Sequence, residues 1–297
     1  MLFRAVALAL LLTGCGSPAV QTGGNQEEIF VPSSPDLQDV FGVAVTETPI
    51  WLTGDIDESI AGNQTGSILY PGGSAAIFFA SIATHAAISS GTENARKSRE
   101  QEQADEVTLP YIYQLGDTTN FDLLNGIEET AGLSIQATEL NKNVEEADWV
   151  LTANPHFVLA QNKRQLHLIN EVLVTAPGSE EPEYLNTIEI SSTYKGLEDG
   201  DSDPWATLDG SSQLLVTMQH LFQDSVRYAL VDSTEGISDG SVDQQTIRFE
   251  ENGSTSFERG YLLNTDCSYG VIETLSKTLK IVPTENIQGI DIGGIGC

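Results

Sequence analysis

Imidazoles, thiols, paired carboxylates and activated hydroxyls are the groups that could do chemistry, and this 297-residue chain offers few of them at useful spacing. Its four histidines are His85, His156, His167 and His220. His156 and His167 flank an Asn162-Lys163 turn, where the two strands of a hairpin could bring them face to face. Zinc needs a third and a fourth ligand, and neither a His-Glu-x-x-His nor a Cys-x-x-Cys pattern is present. Two structural histidines are therefore the reading. Asp199, Asp201 and Asp203 in "DGDSDPWATLDG" have the alternating spacing of a calcium loop. Pro204 stands where that loop must turn on glycine, and Gly210 replaces its bidentate acid. The aspartates read as a solvated approach to a helix, with calcium as the alternative. No Gly-x-Ser-x-Gly nucleophile elbow occurs. Acid pairs such as Glu128-Glu129 say nothing about glycosidase chemistry in a chain with 43 acids. No catalytic residue is assigned, and no cofactor is expected.

Cys15 has the most informative surroundings. Residues 1–14 carry one base, Arg4, then an apolar run, then small residues, which is the layout of a secretory signal. The run is shorter than the ~20 apolar residues that span a bilayer. Leu12-Thr13-Gly14-Cys15 resembles the lipobox of bacterial lipoproteins at all four positions. The resemblance implies a diacylglyceryl group on the Cys15 sulfur, cleavage before Cys15 and acylation of the new amino terminus. The competing reading is a plain signal peptide that happens to meet a cysteine. Two or three acyl chains hold a protein firmly, whereas one binds only marginally. Gly16 and Ser17 follow with no aspartate, a pattern that in such lipoproteins resembles sorting to the outer membrane. The expectation is a protein anchored to the membrane through the lipid on Cys15 and facing the periplasm.

Removing residues 1–14 takes away one base and no acid, leaving 12 bases against 43 acids, or −31. Such a charge repels nucleic acid and anionic lipid surfaces, so the lipid has to be the tether. The hydrophobic fraction of 40% is ordinary for a folded globular chain. With Cys15 acylated, Cys267 and Cys297 make an even pair in an oxidising compartment, and a disulfide is expected.

The elements that would position these groups follow from pattern. Residues 15–36, rich in Gly, Ser, Pro and Gln, read as a flexible tether. "FGVAVTETPIWL" reads as an opening strand. The uncharged stretch "GSAAIFFASIATHAAISS" reads as a helix buried in protein, running on into "ENARKSREQEQADEV" and stopping near Pro110. "NFDLLNGIEETAG" suggests a short helix and "LSIQATEL" a strand. Around Asn162-Lys163, Leu166, Leu168, Val172 and Val174 alternate as in a hairpin, and "YLNTIEISSTYK" adds a third strand. The clearest helix starts at "DPWATLDG", with Asp203 as its cap and Pro204 in its first turn. Leu214, Met218, Leu221, Phe222 and Ala229 form its apolar stripe. Beyond Gly236–Gly240, "TIRFEENGSTSFERGYLL" is a hairpin over Asn252-Gly253, and "YGVIETLSKTLKIVP" adds two strands.

These elements predict an α+β fold: an antiparallel meander packed by two main helices, at 37–235, and a small β-rich subdomain at 241–297. A small-residue helix, a three-strand meander, Asp203-Pro204-Trp205 opening a helix and Arg259-Gly260 in a β tail are together similar to uncharacterised proteobacterial envelope lipoproteins. Lipoproteins of curli secretion and of cell-wall synthase activation have comparable layouts, although their motifs are missing here. The functional expectation is a non-catalytic binding or envelope-assembly module that contacts another envelope protein. Its partner face would be Ala76, Ala80, Ala83 and Ala87, where small side chains allow close approach. The alternatives are a small-ligand or calcium-binding lipoprotein and an envelope hydrolase without a recognisable motif.

Overall fold

The computed structural model describes residues 35, 39–56, 92–127, 134–139, 147–176, 179, 181–193, 204–205, 207–208, 211–237, 242–265 and 268–289. Its centre is the predicted meander: β4 (Trp149–Leu159), β5 (Leu166–Thr175) and β6 (Tyr184–Ser191), each antiparallel to the next. The alternation read from the sequence fixes the faces. Leu166, Leu168, Val172 and Val174 are all buried against the main core, while His167, Ile169 and Glu171 point to the opposite side.

One edge of the meander is built by the start of the chain. β1 (Val40–Val45) and β2 (Trp51–Gly54) both lie parallel to β4, one after the other. Val45 is opposite Ala153 and Trp51 is opposite His156, so residues 46–50 loop out against only two residues of β4. The loop is held by backbone bonds from Ile50 N to Thr118 O and from Asn120 N to Thr48 O. β3 (Ser134–Glu139) then adds in parallel outside β1.

Two helices close this edge. α1 (Thr92–Asp105) ends on β2, where Gly54 N donates to Asp105 Oδ1 at 2.8 Å and Gln101 Nε2 donates to Gly54 O at 3.0 Å. Side chains thus satisfy the strand where a neighbouring strand would. A Cβ on Gly54 would stand 1.8 Å from the Ala104 carbonyl oxygen, so the approach requires glycine. α2 (Leu109–Leu115) follows directly. The helix expected to stop near Pro110 ends at Asp105, and Pro110 itself sits in the first turn of α2, where its missing N–H costs nothing. A 3-10 turn at Asn120–Leu124 delivers Leu123 and Leu124 to the core.

The large helix also starts later than the sequence suggests. α3 (Gln213–Thr234) is capped by the Ser212 hydroxyl, which accepts from Leu215 N at 3.3 Å. A two-residue ladder, β7 (Thr207–Leu208) with β8 (Ser211–Ser212), occupies the stretch expected to be helical. Trp205 is buried ahead of it, its indole N–H bonded to Lys163 O at 2.5 Å, and this tertiary anchor draws residues 204–205 away from the helix. The apolar stripe is as read: Leu214, Met218, Leu221, Phe222 and Ala229 are all buried. α3 lies on the meander, with Asn170 Nδ2 donating to Ser225 Oγ at 2.8 Å and Tyr184 OH to Asp232 Oδ2 at 2.8 Å.

The strands expected to stand apart at 241–297 join the sheet of the meander. β12 (Leu279–Pro283) pairs in parallel with β6 and carries β11 (Tyr269–Thr274), β10 (Ser254–Thr265), β9 (Gln245–Glu251) and β13 (Ile287–Gln288) into the same sheet. Among the described residues these strands and the meander make one mixed sheet of eleven strands, apart from the short β7–β8 ladder, in a mixed α/β fold rather than a meander with two main helices. Val271, Leu279 and Ile281 belong to the main core. A smaller core of Ile247, Phe249, Ile272, Val282 and Ile287 fills the space where β13 returns to β9. Among the described residues, no helix is long and apolar enough to cross a membrane.

Candidate functional site

Two turns that the sequence placed in different hairpins meet in space. Asn252 (φ 55°) and Gly253 (φ 79°) make the tight β9–β10 turn, for which Asn-Gly is the favoured pair. Every polar group of Asn252 is used. Its N–H donates to Gln165 Oε1 at 2.7 Å, and its carbonyl accepts from Asn162 Nδ2 at 2.9 Å. Its side-chain amide donates to the Asp55 carboxylate, and its Oδ1 lies 2.7 Å from His167 Nε2. Because the amide nitrogen must face Asp55, the oxygen faces His167. Neutral His167 therefore carries its proton on Nε2, and its Nδ1 accepts from Ser191 Oγ at 2.9 Å.

A charged cluster continues from this junction. Lys280 Nζ is 3.1 Å from Glu251 and 3.9 Å from Glu189, and it lies 5.0 Å from the centre of the Phe249 ring. Burial alone would lower the Lys280 ammonium, but Glu251 and Glu189 outweigh it and hold its pKa above the ordinary value. Burial pushes the Glu251 carboxyl up, and the charge and hydrogen bond of Lys280 more than reverse this, so it stays below the usual carboxylate range. His167 Nδ1 is also 3.7 Å from Glu251.

His156 has separate company. It stacks on Trp51 with ring centres 3.8 Å apart and planes 14° off parallel, and its Nε2 is 2.8 Å from Thr53 Oγ1. Burial lowers its pKa to about 4, with Asp105 opposing the shift. His156 is neutral at pH 7.

The hairpin register sets the two histidines diagonally, since His156 is opposite Ile169 and His167 is opposite Val158. They lie on one face but bond to different partners, so the face-to-face pair considered from the sequence does not form. His220 is exposed on α3. Among the described residues, no group of three or more His, Cys, Asp or Glu side chains could hold a metal ion.

Ser191, His167 and Asn252 are arranged like a nucleophile, a base and an orienting group. Ser191 is only 3% exposed, however, and a hydroxyl so buried has no approach for a substrate carbonyl. Ser192-Thr193-Tyr194-Lys195 also has Ser-x-x-Lys spacing. The Ser192 hydroxyl donates to Thr193 O at 3.2 Å and accepts from Leu166 N at 3.0 Å, and Lys195 lies outside the described residues.

The other candidates from the sequence also lie outside the described residues: Leu12, Thr13, Gly14 and Cys15; Ala76, Ala80, Ala83 and Ala87; His85; Asp199, Asp201 and Asp203; Cys267 and Cys297. The groups the structure does bring together, Glu189, Glu251, Asn252 and Lys280, carried no motif. The Asn252-Gly253 signal gave a turn but not what the turn would touch. No family model matches the chain, and no curated protein matches it.

Proposed function

We propose that the chain is a lipid-anchored, non-catalytic binding or assembly module of a bacterial envelope, held on the outer membrane through Cys15 and facing the periplasm. The observation that carries the reading is Leu12-Thr13-Gly14-Cys15 after a short apolar run with one base before it. Support for the non-catalytic part comes from the junction: its ionisable groups are bonded to one another, and its histidine serves the turn of a neighbouring hairpin. Ala76, Ala80, Ala83 and Ala87 are the face this reading offers to an envelope protein.

Cys15→Ser tests the anchor. Acyl mass on the amino-terminal peptide and recovery with the outer membrane should both be lost, and a substituted protein still processed and still found there would refute the reading. The binding role is tested by recovering the intact lipoprotein from membranes with whatever co-purifies. A glutamate scan of Ala76, Ala80, Ala83, Ala86 and Ala87 should then include a position that loses a partner while keeping its melting temperature. Export to the periplasm also predicts a Cys267–Cys297 bridge, and two alkylatable thiols in protein isolated without reductant would count against it.

A further inference from the structure

The net charge of −30 is unevenly spread. Over residues 248–280 four bases stand against five acids, a balance of −1 within a chain of 13 bases and 43 acids. Two of those bases share a face of the β9–β10 hairpin. Register places Arg248 opposite Phe257 and Arg259 opposite Thr246, so Arg248, Phe257 and Arg259 form one block. All three are exposed, Phe257 at 65%, and the Arg248 guanidinium lies 5.7 Å from the Phe257 ring centre. The β11–β12 turn extends the block, because Thr274 is opposite Gly260 and the next residue, Leu275, is 56% exposed. Lys277 in the same turn lies 5.8 Å from the Tyr261 ring centre. Lys277 is paired with Glu273, and Glu250, exposed on the same β9 face two residues from Arg248, keeps its charge while accepting a bond from Gln288; neither Arg248 nor Arg259 has an ion-pair partner among the described residues.

We propose that this face, Arg248, Phe257, Arg259 and Leu275 with Lys277 beside them, docks on an anionic phospholipid surface. Charge and shape both favour that occupant. Unpaired guanidinium groups bind phosphate oxygens through two parallel bonds, and exposed Phe and Leu side chains enter the acyl boundary between them. Phe257 and Leu275 project from strand and turn, and a fluid interface accepts such a surface without the complementary groove a folded partner would need. The acidic remainder does not prevent the contact. At physiological salt its charges are screened beyond about 8 Å, so the patch facing the lipid dominates. Excluding anionic lipid from net charge alone overlooks this distribution.

The test uses the full chain carrying Phe257→Trp, added to vesicles of phosphatidylglycerol and phosphatidylcholine with brominated acyl chains. The spectrum of the parent protein, with its three tryptophans, is subtracted. Emission from position 257 should be blue-shifted and quenched. Quenching should fall in pure phosphatidylcholine, and the partition should weaken by more than roughly tenfold once Arg248→Glu and Arg259→Glu are added. Should that charge reversal disturb folding, as a melting curve would reveal, Arg248→Gln with Arg259→Gln gives the same direction with a smaller loss. Unquenched emission, or quenching indifferent to these arginines, overturns the proposal. So does shielding of position 257 by poly-glutamate but not by vesicles, which would assign the face to an acidic polypeptide. The readout is local to residue 257, so a failed anchor at Cys15 would appear separately, as a missing acyl mass.

Discussion

His156 shows how one side chain links burial to pH. Its neutral form is favoured in the fold, with a pKa near 4 against 6.5 when free. A base with a depressed pKa stabilises the fold fully above its unfolded value, and that stability is lost as pH falls from about 6.5 towards 4. The loss is roughly 3 kcal/mol. His156→Phe keeps a ring for Trp51 to stack on and removes the proton. Urea unfolding of this variant should fall less steeply over that range than the wild type, and an unchanged slope would mean that His156 is not the titrating group. Asn252 works through geometry instead. Asn252→Ala loses the bonds to Asp55 and His167 and sets alanine at a φ of 55°, a conformation it tolerates less readily than asparagine, a cost of about 2–3 kcal/mol. Asn252→Gly relieves the backbone and keeps the loss of side-chain bonds, so its stability should fall between alanine and wild type.

Between elements, the junction of the β9–β10 turn with β5, β6 and β12 rests on Lys280. The raised Lys280 pKa contributes stability below the ordinary amine range, lost as pH rises through the raised value. The depressed Glu251 pKa contributes stability above the ordinary carboxyl range, lost as pH falls through the depressed value. Both contributions are present at pH 7. Lys280→Met leaves two carboxylates without their cation and should cost about 3–5 kcal/mol at that pH. The deficit should shrink towards pH 4 as the carboxylates protonate, and adding Glu251→Gln should recover part of it at pH 7. A deficit independent of pH would reduce Lys280 to its packing on Phe249.

At this scale the sequence was legible wherever local pattern decides. The alternating β4–β5 strands, both Asn-containing turns and the apolar stripe of α3 all stand where periodicity put them. It was opaque wherever two distant segments choose each other. The parallel pairings of β1 with β4 and of β12 with β6 leave no local mark, because a parallel partner comes from a remote crossover. The start of α3 was misplaced for a related reason: Trp205 makes its bond to Lys163, 42 residues away. The junction was half legible, as two turns whose meeting is tertiary.

For the whole molecule, the glycines at 236 and 240 looked like a boundary between a domain at 37–235 and a β subdomain at 241–297. The sheet crosses it. β12 covers the edge of β6 with Leu279 opposite Ile188 and Ile281 opposite Ile190, and all four side chains are buried in the main core. Removing residues 241–297 would strip that edge, expose Ile188 and Ile190, and take Val271 from the same core. It would also leave the Ser191–His167 pair without Asn252. The intact chain should therefore unfold in one transition, with far-ultraviolet dichroism and tryptophan fluorescence coinciding. A fragment ending at Gly240 should show no cooperative melt and should be cut rapidly by protease. A fragment that melts cooperatively near the temperature of the whole chain would restore the two-domain reading and make the parallel β6–β12 ladder a dispensable contact.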